Sequence, residues 1–202
     1  MRYTDMLLES SSVLPMGKGT IGAMVSASGH ETMWSDRTVT VPDVTVIHYS
    51  SAVLRCPDTP FALEEVLSLF CEYGVSSHFL IDREGTLFRL VPIGKKAWHC
   101  GGSIMPEPDN RRGVNDFSVG IELLATGESG FTTAQYAALA ELCAGNERIF
   151  GMRMTYVGHD TIAGKRAVAL GLRTEEKTDP GSRFEWRRFF DMLASRRVPD
   201  RG

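Results

Sequence analysis

The chain has 202 residues, of which 43% are hydrophobic and 23% charged, and its formal net charge is -3. This length and balance suit one globular domain with a sizeable core, or one domain plus an extension. A mildly acidic chain has no global pull toward nucleic acid or an anionic membrane surface, and no apolar run is long enough to span a bilayer.

Residues 1–37 are rich in Ser, Gly and Met and show little periodicity, so they read as an N-terminal extension that packs on the domain or frays. Residues 20–25 are a candidate short strand. Asp5 and Glu9 interrupt the apolar Met6-Leu7-Leu8, so this end does not read as a signal peptide. The domain proper is placed at residues 38–202. Val44-Thr45-Val46-Ile47-His48 is β-branched and almost continuously apolar, as expected of a buried central strand. Thr59-Pro60 reads as the N-cap and first residue of a helix, with Leu63, Val66, Leu67 and Phe70 on one face and Gly74 as its stop. Residues 78–81 and 86–91 flank Asp82-Arg83-Glu84-Gly85 and predict a hairpin. Residues 118–124 predict another strand.

Thr132 and Gln135 form a T-x-x-Q capping box that opens a helix to about Phe150. Residues 154–158 predict a short strand that delivers His159. Ser182 and Glu185 form a second box, S-x-x-E, whose helix places Trp186, Phe189, Phe190 and Leu193 on one face. The order strand, helix, hairpin, strand, helix, strand, helix predicts an α/β fold, a central mixed β-sheet flanked by α-helices. The four cysteines, Cys56, Cys71, Cys100 and Cys143, form no C-x-x-C pair, which favours reduced thiols and a cytoplasmic setting. A periplasmic or secreted location stays open if a leader precedes this sequence.

Two histidines, His48 and His159, stand at the ends of predicted strands, and Lys177-Thr178-Asp179 precedes a Pro-Gly turn. Catalytic zinc takes three protein ligands and keeps one position open, and two imidazoles with one carboxylate would suit it. A lone strand-end histidine is more often a hydrogen-bonded, partly buried imidazole than a ligand, and K-x-D is common on solvated surfaces. On the residues alone both readings stand.

Six blocks in order resemble the zinc-dependent N-acetylmuramoyl-L-alanine amidase family of the amidase-2 type, related to peptidoglycan recognition proteins. They are Val46-Ile47-His48-Tyr49-Ser50, residues 75–85, Ala97-Trp98-His99-Cys100-Gly101 (like "AWHAG"), residues 115–122 (like "NDFSIGIE"), residues 158–163, and Lys177-Thr178-Asp179-Pro180-Gly181 (like "KTDPG"). The resemblance implies a mixed sheet packed by helices, a Zn2+ cofactor, and a peptidoglycan or muropeptide substrate. The implied reaction is hydrolysis of the amide between N-acetylmuramic acid and L-alanine of the stem peptide. It also implies His48, His159 and Asp179 as metal ligands, with Glu122 and Lys177 as catalytic residues. Trp98, His99, Asn115 and Arg112 are implied near the substrate groove. A non-catalytic muropeptide-binding module of the same fold is the alternative. Nineteen residues separate His159 from Asp179, more than in compact relatives, and residues 164–175 are expected to form a short helix or a loop over the groove. The sequence does not specify an oligomeric state.

Overall fold

The computed structural model describes residues 3–6 and 33–197; the candidate strand at residues 20–25 lies outside them. The strands are β1 (Thr4–Asp5), β2 (Trp34–Asp36), β3 (Val44–Ser50), β4 (Phe79–Ile81), β5 (Leu87–Arg89), β6 (Lys95–Ala97), β7 (Ser118–Leu124) and β8 (Thr155–Gly158). The helices are α1 (Leu63–Tyr73), α2 (Thr133–Phe150), α3 (His159–Ile162), α4 (Lys165–Ala169) and α5 (Trp186–Arg197). Six strands make a mixed sheet in the order β1-β5-β4-β7-β3-β8, while β2 and β6 pair separately as an antiparallel ribbon. Within the larger sheet the β4–β5 hairpin is antiparallel, and β7 runs parallel to both β3 and β4. Every residue of β7 is buried, as its unbroken apolar run requires of a central strand. None of the described helices is long and apolar enough to cross a membrane.

Side-chain alternation along β3, β4 and β7 gives the sheet two faces with different tasks. One face carries Ile47, Phe79, Ile81, Val119, Ile121 and Leu123, which pack on Tyr136, Leu139 and Cys143 of α2 and on Phe189 and Leu193 of α5. Burying a large apolar side chain completely contributes roughly 2–3 kcal/mol, so this layer is the main source of stability. The opposite face is covered in two separate patches. At one side Leu80, Leu90 and Leu124 meet Val66, Leu67 and Phe70 of α1. At the other, Val44 and Val46 meet Cys100, Met105, Val114, Phe117 and Ile162. Between these patches the sheet presents His48 and Glu122.

Two helix starts differ from the sequence expectation. Helix α1 begins at Leu63, with Ala62 at the N-cap and no side-chain cap, because Thr59 closes a preceding turn by accepting from the Ala62 N–H at 3.1 Å. Its predicted stop holds: Gly74 is left-handed at φ 60 and the Val75 N–H returns to the Phe70 carbonyl at 2.9 Å. Helix α5 begins at Trp186, so Ser182 is not its cap. Gly181 and Phe184 instead close a turn of 3.1 Å that carries Phe184 into the core, and the Glu185 N–H is taken by the Tyr136 hydroxyl at 2.7 Å. The α2 capping box forms as read, with Thr132 and Gln135 each accepting from the other's backbone.

The described part of the N-terminal segment is built into the fold. Thr4–Asp5 adds a parallel strand beside β5, and Met33 is 1% exposed against Leu67 and Phe70. The Arg37 guanidinium donates to the carbonyls of Ile93 (3.3 Å), Asn115 (3.0 Å), Asp116 (3.0 Å) and Ser118 (2.7 Å). It thereby ties β2 to the approach to β7.

Candidate metal centre and cavity

His48 lies on β3 directly beside Glu122 of β7, and β8 delivers His159 at the first residue of α3. The chain returns to them at Asp179, whose carbonyl accepts from the Asp160 N–H at 2.7 Å. The Asp179 carboxylate meets His48 Nδ1 at 3.0 Å and His159 Nδ1 at 3.1 Å, and the two imidazole centroids are 4.5 Å apart. One ligand atom from each of these three residues lies within 4.8 Å of the others. Two imidazoles and a carboxylate converging on one point, with space on the remaining side, are the donor set and openness of a catalytic metal site.

The protonation states suit that use. Burial, reinforced by His159, pulls His48 down to about 4, so its imidazole is neutral at pH 7 as a ligand must be. Burial alone would raise Asp179, but the hydrogen bonds of His159 and His48 outweigh it and hold the carboxylate well below its usual range. Glu122 goes the other way: burial, then the charge of Asp179, pushes it up to about 8. It is 9% exposed, and its Oε2 has no hydrogen-bond partner among the described residues. A buried, unpartnered carboxyl oxygen ordinarily costs stability, so its place beside the triad calls for a use.

A cavity of about 150 Å³ opens over this point, lined by His48, Glu122, His159, Asp179, Lys177 and Trp98, with His99, Tyr49, Phe70, Val75 and Ser76 completing the wall. Lys177 is exposed at the rim, anchored through its own N–H to the Ala163 carbonyl at 3.0 Å. Its charge reaches both His48 and Glu122.

The remaining sequence candidates divide. Trp98 stands in the cavity wall with Lys96 Nζ 5.2 Å from its ring. Asn115 does not line the cavity; its Oδ1 accepts from the N–H groups of His99 (3.2 Å) and Cys100 (2.8 Å). Arg112 is exposed and outside the cavity wall, its backbone bridging to Ile104. The neighbouring Arg111 is held by Asp109 and Asp43, over the ring of Phe117. His78 is fully buried: its Nδ1 accepts from the Gly120 N–H at 2.9 Å and burial lowers it to about 3, a structural imidazole. Residues 164–175 contain the short helix α4, and none of them lines the cavity. They pack behind it, where Gly102 leaves room for the Leu172 carbonyl and Arg166 donates to the Met105 carbonyl at 2.9 Å. Tyr49, Phe70, Val75 and Ser76 were not singled out by the sequence as wall residues. Tyr49 at least follows His48 directly, where the strand's end leaves a side chain half-buried.

The family model for N-acetylmuramoyl-L-alanine amidase, Amidase_2, matches residues 37–182. The chain belongs to that family. It is 37% identical over 120 residues to a 1,6-anhydro-N-acetylmuramyl-L-alanine amidase, AmpD, of Salmonella typhimurium, a match covering 59% of this chain and 58% of the relative. To the AmpD of Escherichia coli K12 it is 39% identical over 115 residues, covering 57% and 56%. The chain thus spans less than two thirds of the length of these curated relatives. Among solved structures, an AmpD selenomethionine derivative superposes with a TM-score of 0.64 at 28% identity, covering 93% of this chain and 99% of that one. The amidase AmiD of E. coli, in complex with anhydro-N-acetylmuramic acid-L-Ala-D-γ-Glu-L-Lys, superposes at 0.57 with 25% identity, covering 80% and 62%. The Amidase_2 fold expected from the sequence is therefore the fold observed.

Proposed function

We propose that this Amidase_2 protein is a zinc-dependent N-acetylmuramoyl-L-alanine amidase. It hydrolyses the amide between N-acetylmuramic acid and L-alanine in peptidoglycan or its muropeptide fragments. The observation that carries the proposal is the unpartnered Glu122 Oε2, buried beside His48, His159 and Asp179 and facing the same cavity as Lys177. The names of the AmpD relatives favour substrates that carry a 1,6-anhydro-N-acetylmuramyl group on L-alanine.

In this reading His48, His159 and Asp179 hold the zinc. Zinc, when bound, supplies Lewis acidity, lowering the pKa of a water toward about 7 and polarising an amide carbonyl. Glu122 accepts a proton from the attacking water at Oε2 and returns it to the leaving nitrogen of L-alanine. A Zn2+ ion held by His48, His159 and Asp179 would favour the ionised carboxylate that this role requires. The Lys177 ammonium faces the scissile carbonyl from the rim and stabilises the negative charge that grows on its oxygen. Trp98 offers a flat apolar wall against which a sugar or lactyl group can lie.

The test is to incubate zinc-loaded protein with purified muropeptides, with and without the 1,6-anhydro ring, and to identify the products by mass spectrometry beside an EDTA control. Release of a free stem peptide beginning with L-alanine, lost on chelation, is expected. Tight binding without cleavage would instead establish the binding-module alternative, and cleavage elsewhere in the peptide would refute the assigned bond.

A further inference from the structure

His48 uses both ring nitrogens. Its Nδ1 faces Asp179 at 3.0 Å, and its Nε2 lies 3.0 Å from His99 Nδ1. The two rings meet edge-on, with centroids 5.1 Å apart and planes at 89°. A nitrogen that ligates a metal presents its lone pair, so the opposite nitrogen of a neutral imidazole carries the proton. With Nδ1 turned to the Asp179 side, the Nε2 proton of His48 points at His99 Nδ1. His99 then accepts at Nδ1, where Cys100 Sγ also approaches to 3.1 Å, and carries its own proton on Nε2, 3.3 Å from Ser118 Oγ.

His99 is itself held in place. It is 8% exposed, and its N–H donates to Asn115 Oδ1 at 3.2 Å. Its ring lies flush on the sheet over Gly120, where a Cβ would come within 2.6 Å of the imidazole. A residue at position 120 with any side chain would occupy the space the ring needs.

Resting on the zinc reading above, we infer that His99 is a positioning residue for the metal site. Its Nδ1 takes the His48 Nε2 proton and so fixes the tautomer and rotation of His48 with Nδ1 toward the metal, and Gly120 is the gap that admits its ring. Metal-binding histidines ordinarily have such an outer partner, most often a carboxylate or a carbonyl. His159 has one of the usual kind, the Cys100 carbonyl, 3.3 Å from its Nε2. For His48 the partner is a second imidazole. The competing arrangement places the ion on the other side of His48, among Nε2, His99 and Cys100, whose donor atoms also lie within 4.8 Å of one another.

The experiment measures zinc affinity by competition with a chromophoric chelator, independently of turnover, with circular dichroism of each metal-free variant as the check on folding. His99→Phe keeps the ring volume and removes the acceptor, and it should weaken zinc about 10- to 100-fold. His99→Asn, whose amide oxygen falls near the Nδ1 position, should recover most of that loss. Gly120→Ala should behave like His99→Phe while leaving His99 in the sequence. Should His99→Phe fail to fold, the contrast between His99→Asn and Gly120→Ala carries the same comparison. Unaltered zinc affinity in folded His99→Phe or Gly120→Ala overturns the inference, as does a thiolate-to-metal charge-transfer band in the cobalt-loaded wild-type protein. A wild-type chain that binds no zinc overturns the metal reading and this inference with it. Normal wild-type binding beside an unaffected variant overturns the inference alone.

Discussion

His48 and Glu122 are paired residues on the adjacent parallel strands β3 and β7, so an imidazole and a carboxyl project side by side from one sheet face. Two buried strands set their spacing, which leaves no loop motion to separate them. The carboxyl is held at about 8 against an ordinary 4.5, burial being the larger cause and Asp179 the next. Between pH 4.5 and 8 the unfolded chain therefore ionises Glu122 while the metal-free native state keeps its proton, and stability falls across that window. Glu122→Gln has no proton to lose. The metal-free variant should be more stable than the parent at pH 7 by roughly 1–3 kcal/mol, the gap opening from pH 4.5 to 8. Urea unfolding across that range checks it; identical pH profiles would remove the argument. Turnover by the zinc-loaded variant should fall at least a hundred-fold, as for loss of a general base.

Among the described residues Lys177 is tied to the site through its backbone, and its exposed side chain can reach across the cavity. Lys177→Ala should lower kcat by about a hundred-fold or more, on the order of 3 kcal/mol of barrier, without changing zinc content. Metal analysis beside single-turnover kinetics separates the two effects. Near-normal kcat would end the role assigned to this lysine.

Asp179 is where both histidines converge, so its loss leaves two imidazoles without a shared partner. Zinc at about 100 times its dissociation constant should stabilise the wild-type fold by roughly 2.7 kcal/mol, raising the melting temperature by about 5–10 °C. Asp179→Ala should abolish that rise. A zinc-dependent melting shift of the same size in the variant would show that the metal sits elsewhere.

Glu147 of α2 is 6% exposed and lies on the side of the sheet away from the cavity, against α5. Its carboxylate accepts from Arg197 Nε (2.7 Å), Arg153 Nη1 (2.9 Å), the Tyr156 hydroxyl (3.0 Å) and the Met154 N–H (3.2 Å). Burial opposes ionisation, but these partners, Arg197 foremost, prevail and bring it down to about 2 from 4.5. Its contribution is therefore complete above pH 4.5 and disappears as pH falls toward 2. Glu147→Gln should destabilise the protein by about 2–3 kcal/mol at pH 7 and by almost nothing near pH 2. A pH-independent difference between the two melting profiles would refute the ion-pair account.

The elements most legible in the sequence were those whose local signals and burial agree. β3 and β7 announce themselves by continuous apolar runs, and α2 by a capping box that the backbone uses as written. Thr59 and Ser182 carry equally good cap chemistry and cap nothing, because a turn ahead of each helix takes the chain first. The ribbon of β2 and β6 was invisible, since Trp-Ser-Asp and Lys-Lys-Ala show no strand pattern until they are paired with each other. In the site, the motif blocks brought His48, His159, Asp179, Glu122, Lys177 and Trp98 to one cavity. They could not say which way an amide or guanidinium points. Asn115 turned out to face the main chain and Arg112 the solvent, and the extra residues after His159 lie behind the cavity.

Arg37 sits at the first residue of the family match, and the strand that leads to it lies upstream of that match. Four carbonyl oxygens from two stretches of the chain, residue 93 and residues 115–118, depend on this one guanidinium, and Met33 fills the core a few residues before it. Cutting the protein down to its recognisable homology would keep Arg37 but remove Met33 and β2, the strand that leads into it. The smallest portable unit that keeps the β2–β6 ribbon and the core beneath α1 intact includes Met33.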